Sequence, residues 1–201
     1  TIISLEYFKK TVLHFLKQGG IEELSISGGE PFLHPDLFEM VKFCKNNGIR
    51  TVVFTSGIKR ASEMPVEMIE YIKDKYKKDL QEIEEHEPWN IRLKRNIKAY
   101  YDRQLTPKSF EGITRQDFEK LKQLGLDKIV FDWQAFEETT DNELMGRKGL
   151  ITCLMDSLIR ASSTGLNVDV HFIPMKPNYK QFPDIIECLE MSGMKNISIL
   201  N

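Results

Sequence analysis

The chain has 201 residues, 41% hydrophobic and 29% charged, with a formal net charge of −2. That length holds one domain with a sizeable core. The near-neutral balance excludes a global basic field for nucleic acid, and no apolar run reaches the length of a membrane span. Three scattered cysteines exclude a disulfide framework and point to a reducing compartment, so a cytoplasmic location is expected. Thr1 opens directly on a helical pattern, without the shape of a signal peptide.

Ser4 is a good N-cap for a helix running to Gly19-Gly20, with Leu5, Phe8, Val12, Phe15 and Leu16 along one stripe. Glu23-Leu24-Ser25-Ile26-Ser27 then alternates as a strand and ends on Gly28-Gly29-Glu30-Pro31. Two glycines at a strand end let backbone approach a ligand closely. A carboxylate follows at once, and Pro31 stiffens the exit. This set of acceptors suits an ammonium group, and an acid and a proline directly after the glycines disfavour an anion. A plain strand-to-helix turn is the alternative reading.

Pro35-Asp36 starts a second helix, Leu37 to Asn47, closed by Gly48. Arg50 to Gly57 is the next strand. Residues 59–113 form a helical insertion in which Ile69, Ile72, Tyr76, Leu80 and Ile83 make one stripe and Trp89, Leu93, Ile97 and Tyr100 a second. They predict a helical hairpin over one end of the sheet, either a lid or docking element or a solvated decoration. Its basic cluster, Arg92, Lys94, Arg95 and Lys98, suits an acidic partner or a solvated face equally. Thr114 caps a helix to Gly125. Lys128–Gln134, Asn167–Met175 and Asn196–Leu200 read as strands, and 150–165 and 183–193 as helices. Strands alternating with amphipathic helices define a parallel α/β sheet.

Parity within the strands locates a site. Leu24, Ile26, Ile129, Phe131, Trp133, Val168, Val170, Phe172, Ile197 and Ile199 fall on one face and pack on the helices. Ser25, Ser27, Asp132, Gln134, Asp169, His171 and Ser198 fall on the other, so a wet or ligand-filled interior is expected. An antiparallel sheet with one solvated face is the simpler alternative. No nucleophile–base pair, HExxH or phosphate loop is present.

The string SISGGEPFLHPDL resembles the GGEP motif of radical S-adenosylmethionine (SAM) enzymes. Arg50–Gly57, ending in Thr-Ser-Gly, resembles the family strand that ends in Thr-Asn-Gly. The strands 128–134, 167–175 and 196–200 and the loop Gly146-Arg147-Lys148-Gly149 are similar to later units, with Pro177-Asn178-Tyr179 entering a helix. The resemblance implies a partial (β/α)6 TIM-type barrel, first strand missing, spanning 1–201 with the 59–113 insertion inside it. It implies SAM and a 4Fe-4S cluster as cofactors, a reduced cluster splitting SAM to a 5′-deoxyadenosyl radical that takes hydrogen from a substrate. Gly28, Gly29, Glu30 and Pro31 would meet the SAM amino group. Thr55 and Ser56 match the next SAM-proximal site, with Ser in place of Asn. Asp132 would meet ribose, Arg147 the methionine carboxylate, His171 SAM or substrate, and Ile173 with Pro174 the adenine. Gln134 and Asp169 would face substrate, and no catalytic residue is assigned. His34 is expected to serve turn architecture.

The family's CxxxCxxC is not in the chain. Cys44, Cys153 and Cys188 fall on predicted helices and read as core residues. The cluster ligands are expected upstream of Thr1, this chain has no metal site of its own, and alone it is expected to be inactive. The spacing from 128 to 178 is similar to the branch that modifies peptides or builds cofactors. A small-molecule or peptide substrate and a flavodoxin- or ferredoxin-type reductant would be the partners, with neither nucleic acid nor membrane. A degenerate SAM- or partner-binding barrel without a cluster is one rival reading. An unrelated lyase using Asp169 and His171 is another.

Overall fold

The computed structural model describes residues 2–61, 66–84, 94–98, 100–101, 110–146, 148–194 and 196–200. The chain opens with α1 (Leu5–Gln18), β1 (Glu23–Ile26), α2 (Leu37–Asn46) and β2 (Arg50–Thr55). It continues through β3 (Ile58–Ala61), α3 (Val66–Glu84), β4 (Phe110–Gly112), α4 (Arg115–Gln123) and β5 (Lys128–Asp132). It ends with α5 (Glu138–Met145), α6 (Leu150–Ser162), β6 (Val168–Phe172), α7 (Phe182–Met191) and β7 (Ile197–Ile199). Five strands form one sheet in the order β1-β2-β5-β6-β7, every pair parallel.

The register converts strand parity into layers. Ile26, Val53, Ile129 and Val168 lie in one row, and Thr55, Phe131, Val170 and Ile197 in another. Most of these side chains join one apolar cluster with Leu37 and Val41 of α2, Phe118 and Leu121 of α4, Leu154 and Leu158 of α6, and Ile185 and Leu189 of α7. One face of the sheet is thus covered by one layer of helices, which is why its side chains read as apolar at every second position. The architecture is α/β with a five-stranded parallel sheet.

Helix ends follow their sequence signals. Ser4 Oγ accepts from Tyr7 N at 3.2 Å, and Thr114 with Asp117 forms a capping box on α4. Asp117 also pairs with Lys59 of β3 at 2.7 Å.

Three expectations change. Phe15 belongs to the α1 stripe by spacing but is 52% exposed, because no neighbouring element covers it. Helix α5 was not expected, since Glu-Thr-Thr-Asp-Asn-Glu carries no apolar stripe. The segment 59–113 is not helical at its ends: β3 and β4 pair antiparallel there, Ile58 with Gly112 and Ala61 with Phe110. Between them α3 carries the first predicted stripe, and Ile72 packs with Tyr101. Trp89, Leu93 and Arg92 lie outside the described residues, as does Arg147.

Candidate functional site

The strand ends bring GGEP and Thr-Ser-Gly together. Glu30 Oε1 accepts from Phe32 N at 3.0 Å and from Thr55 Oγ1 at 2.8 Å. Its Oε2 accepts from Ser56 N at 2.8 Å and from Ser56 Oγ at 2.7 Å. A carboxylate has about four acceptor sites, and protein donors fill them. Burial pushes the Glu30 carboxyl above its ordinary range, against the downward pull of these hydrogen bonds. Glu30 is therefore a clamp between the ends of β1 and β2. The neighbouring glycines are free in a way Glu30 is not. Gly28 and Gly29 hold φ +89° and +53°, and a Cβ on either would meet nothing within 4 Å. Among the described residues, no hydrogen bond ends on either carbonyl oxygen.

The Thr-Ser-Gly turn is held from behind. Gly57 N donates to Thr55 Oγ1 at 3.0 Å. A Cβ on Gly57 would stand 2.6 Å from Leu154 Cα of α6 at φ +83°, so the turn needs glycine. Ser157 of α6, fully buried, donates to Gly57 O at 2.7 Å and accepts from Ile113 N at 2.7 Å. One hydroxyl thus ties together both ends of the β3–β4 excursion and the turn that clamps Glu30. Strand and helix periodicity carried no signal for Ser157, whose partners are 44 and 100 residues away.

At the ends of β5 and β6, Asp132 and His171 are register partners. Both are half-buried, and the His171 ring meets Phe54 edge-on at 5.3 Å. Burial pushes the Asp132 carboxyl up, against a pull down from His171. Deeper in the same face the polar expectation is modified. Asp169 is buried and bonded to Lys128 Nζ at 3.4 Å and Ser198 Oγ at 3.3 Å. Val52 and Val130 of this face are buried too. The upper row, Asp132 and His171 with Phe54 beside it, is left partly open, as are Lys128 and Ser198. Ser25 and Ser27 are exposed at the sheet edge.

The two loops above this row are locked by side chains that sequence reasoning missed. Asn178, fully buried, donates through Nδ2 to Gln134 O at 2.6 Å and Ile173 O at 3.0 Å and accepts from Met175 N at 2.6 Å. Gln181 Oε1 accepts from Phe136 N and Glu137 N at 2.8 and 2.9 Å. These bonds fix the backbone of Gln134 and Ile173, while the Gln134 side chain is half-buried and Ile173 is 38% exposed.

A groove of about 560 Å³ opens at GGEP, lined by Ser27, Gly28, Gly29, Glu30 and Pro31 together with the apolar Ile2, Ile3, Leu33 and Met40. Acceptors beside aliphatic walls fit the ammonium and the methylene and thioether chain of a methionyl group, so the residues present fit SAM. They do not fit an iron–sulfur cluster: among the described residues no three His, Cys, Asp or Glu side chains converge on a metal position. Cys44, Cys153 and Cys188 sit on three different helices.

No protein-family model matches the chain. Among curated proteins it is similar to the Fe-coproporphyrin III synthase of Methanosarcina barkeri (strain Fusaro / DSM 804), 21% identical over 188 residues, which is 94% of this chain and 34% of the relative. The chain thus spans about a third of that protein's length. Among solved structures it is similar to SuiB of Streptococcus suis bound to its precursor peptide SuiA, with TM-score 0.62 and 14% identity over 99% of this chain and 33% of that one. SuiB bound to S-adenosylmethionine aligns with TM-score 0.58 and 14% identity over 96% of this chain and 32% of that one. These relatives are radical SAM enzymes, and the resemblance carried by SISGGEPFLHPDL extends along nearly the whole chain and its fold. No helix among the described residues is long and apolar enough to cross a membrane.

Proposed function

We propose that this chain is the SAM-binding core of a radical SAM enzyme, its sheet forming the larger part of a (β/α)6 partial barrel. The observation that carries this reading is the Glu30 clamp, which ties the two sequence motifs together beside a groove that fits a methionyl group. The GGEP turn and its groove would hold SAM. A 4Fe-4S cluster, for which the described residues offer no ligand set, reduced by a flavodoxin- or ferredoxin-type donor, would supply the one electron that splits SAM into methionine and a 5′-deoxyadenosyl radical able to take hydrogen from a peptide or a cofactor precursor.

The residues divide the work. The Gly28 and Gly29 carbonyls receive the ammonium, and Glu30 supplies the negative charge beside it while Thr55 and Ser56 hold it in place. Arg147, by its fork geometry, receives the carboxylate. Asp132 and His171 take the ribose end, Ile173 the adenine, and Gln134 faces the substrate. Asp169, bonded to Lys128 and Ser198, organises the sheet instead of meeting substrate. The peptide-bound SuiB structure supports a peptide as the substrate class.

Titration of the chain with SAM by isothermal calorimetry tests the reading. The wild type is expected to bind, and Glu30→Ala to bind about tenfold to a hundredfold more weakly, from losing both the charge beside the ammonium and the bonds that hold the turn. No saturable heat from the folded wild type, or equal binding by Glu30→Ala, overturns it.

A further inference from the structure

The residue that completes the groove is His34, three residues beyond GGEP. Its ring is fixed at both nitrogens. Nδ1 accepts from Asp36 N at 3.0 Å, so the ring proton of the neutral imidazole sits on Nε2. Nε2 then donates to the carbonyl of Ile3 at 2.8 Å, across 31 residues of sequence. Ile3 and its neighbour Ile2 line the same groove as Gly28, Gly29 and His34 itself. Ile2 is 71% exposed and Ile3 41% exposed, and neither belongs to an apolar cluster. Burial therefore does little to hold this part of the groove wall, and a short, directional side-chain bond does.

We propose that His34 is a positioning residue of the groove: its Nε2–H···O=C bond to Ile3 holds the Ile2–Ile3 wall in place against the aliphatic part of the ligand. The ligand's identity rests on the SAM reading above; the tether does not. The Asp36 N–H selects the tautomer, the tautomer makes Nε2 a donor, and the donor holds the wall.

Two measurements on the 201-residue chain decide it. The first is the ¹⁵N spectrum of the imidazole near neutral pH with nuclear Overhauser contacts to Ile3. A protonated Nε2, a bare Nδ1 and a ring contact to Ile3 are expected. The opposite tautomer, or no contact to Ile3, overturns the tether whatever the ligand is. The second is SAM titration of wild type, His34→Ala and His34→Gln, each with its melting temperature. His34→Ala is expected to bind about threefold to tenfold more weakly while melting within a few degrees of wild type, the worth of one exposed hydrogen bond. His34→Gln, whose amide can still donate to Ile3, is expected to recover most of that loss. Unchanged affinity in His34→Ala, or a loss that His34→Gln does not restore although it melts like wild type, overturns the positioning role. Failure of the wild type itself to bind SAM overturns the SAM reading, and the imidazole spectrum then decides the tether alone.

Discussion

Among the described residues burial raises three carboxyls, and their partners decide what each one does. Glu30 and Asp132 are raised but stand among donors or beside an imidazole. Asp141 on α5 is 4% exposed, and its Oδ2 has no hydrogen-bond partner. Burial and then the nearby Glu138 push it up to about 6 from its ordinary 3.8. A carboxyl raised in the folded state binds its proton more tightly there than in the unfolded chain. Its contribution to stability is therefore fully present below the unfolded value and is lost as pH rises through about 6. Asp141→Asn removes this dependence. Relative to wild type, the variant is expected to gain about 1–2 kcal/mol between pH 4.5 and 7.5, part of the full shift being screened by solvent. Urea unfolding at the two pH values measures it, and parallel behaviour of the two proteins would show that Asp141 titrates normally.

The elements meet the site through contacts that no single element displays. The close approach of α6 to the Thr-Ser-Gly turn explains why glycine stands at 57, where a Cβ would collide with helix backbone. Gly28 has a similar positive φ but open space around it. Gly57→Ala is expected to cost about 2–4 kcal/mol, from overpacking added to the strain of a positive φ. Gly28→Ala is expected to cost about 1–2 kcal/mol, from the strain alone. Denaturant unfolding of the pair separates the two causes, and equal costs would mean that α6 is not what fixes Gly57. At this scale the sequence was legible where a period existed. Among the described residues the helices carrying stripes and the strands with alternating parity are found as expected, within a few residues at their ends, the stripe of Trp89 and Leu93 lying outside them. Helix α5 lacks a stripe, and β3 pairs with a strand some fifty residues further on, so neither left a local signature.

At the scale of the whole molecule, the sheet formed by the described residues is open. Among the described residues β1 and β7 each have one neighbour. Ile199 of β7 and Leu200 just beyond it are exposed at 52% and 38%. Unpaired edges with apolar side chains favour association of chains. The isolated chain is expected to show concentration-dependent self-association in sedimentation velocity. Ile199→Lys is expected to reduce it, since a charge on an edge strand blocks pairing. Insensitivity to that substitution would place the contact elsewhere.

By itself the sequence determined the α/β alternation, the helix-facing and opposite faces of each strand, and the glycine–carboxylate turn. All of these follow from periods of 2 and 3.6 residues or from adjacent residues. The tertiary structure decided which polar groups are spent and which are left over. Parity put Asp132, Asp169 and His171 on one face, but only packing shows Asp169 bonded to Lys128 while the other two remain half-open. Adjacency put Glu30 after two glycines, but only the approach of β2 shows its acceptor sites filled by Thr55 and Ser56. A hydrogen-bond partner is chosen by proximity in space, and in this chain the decisive partners lie 25, 31, 41 and 100 residues apart.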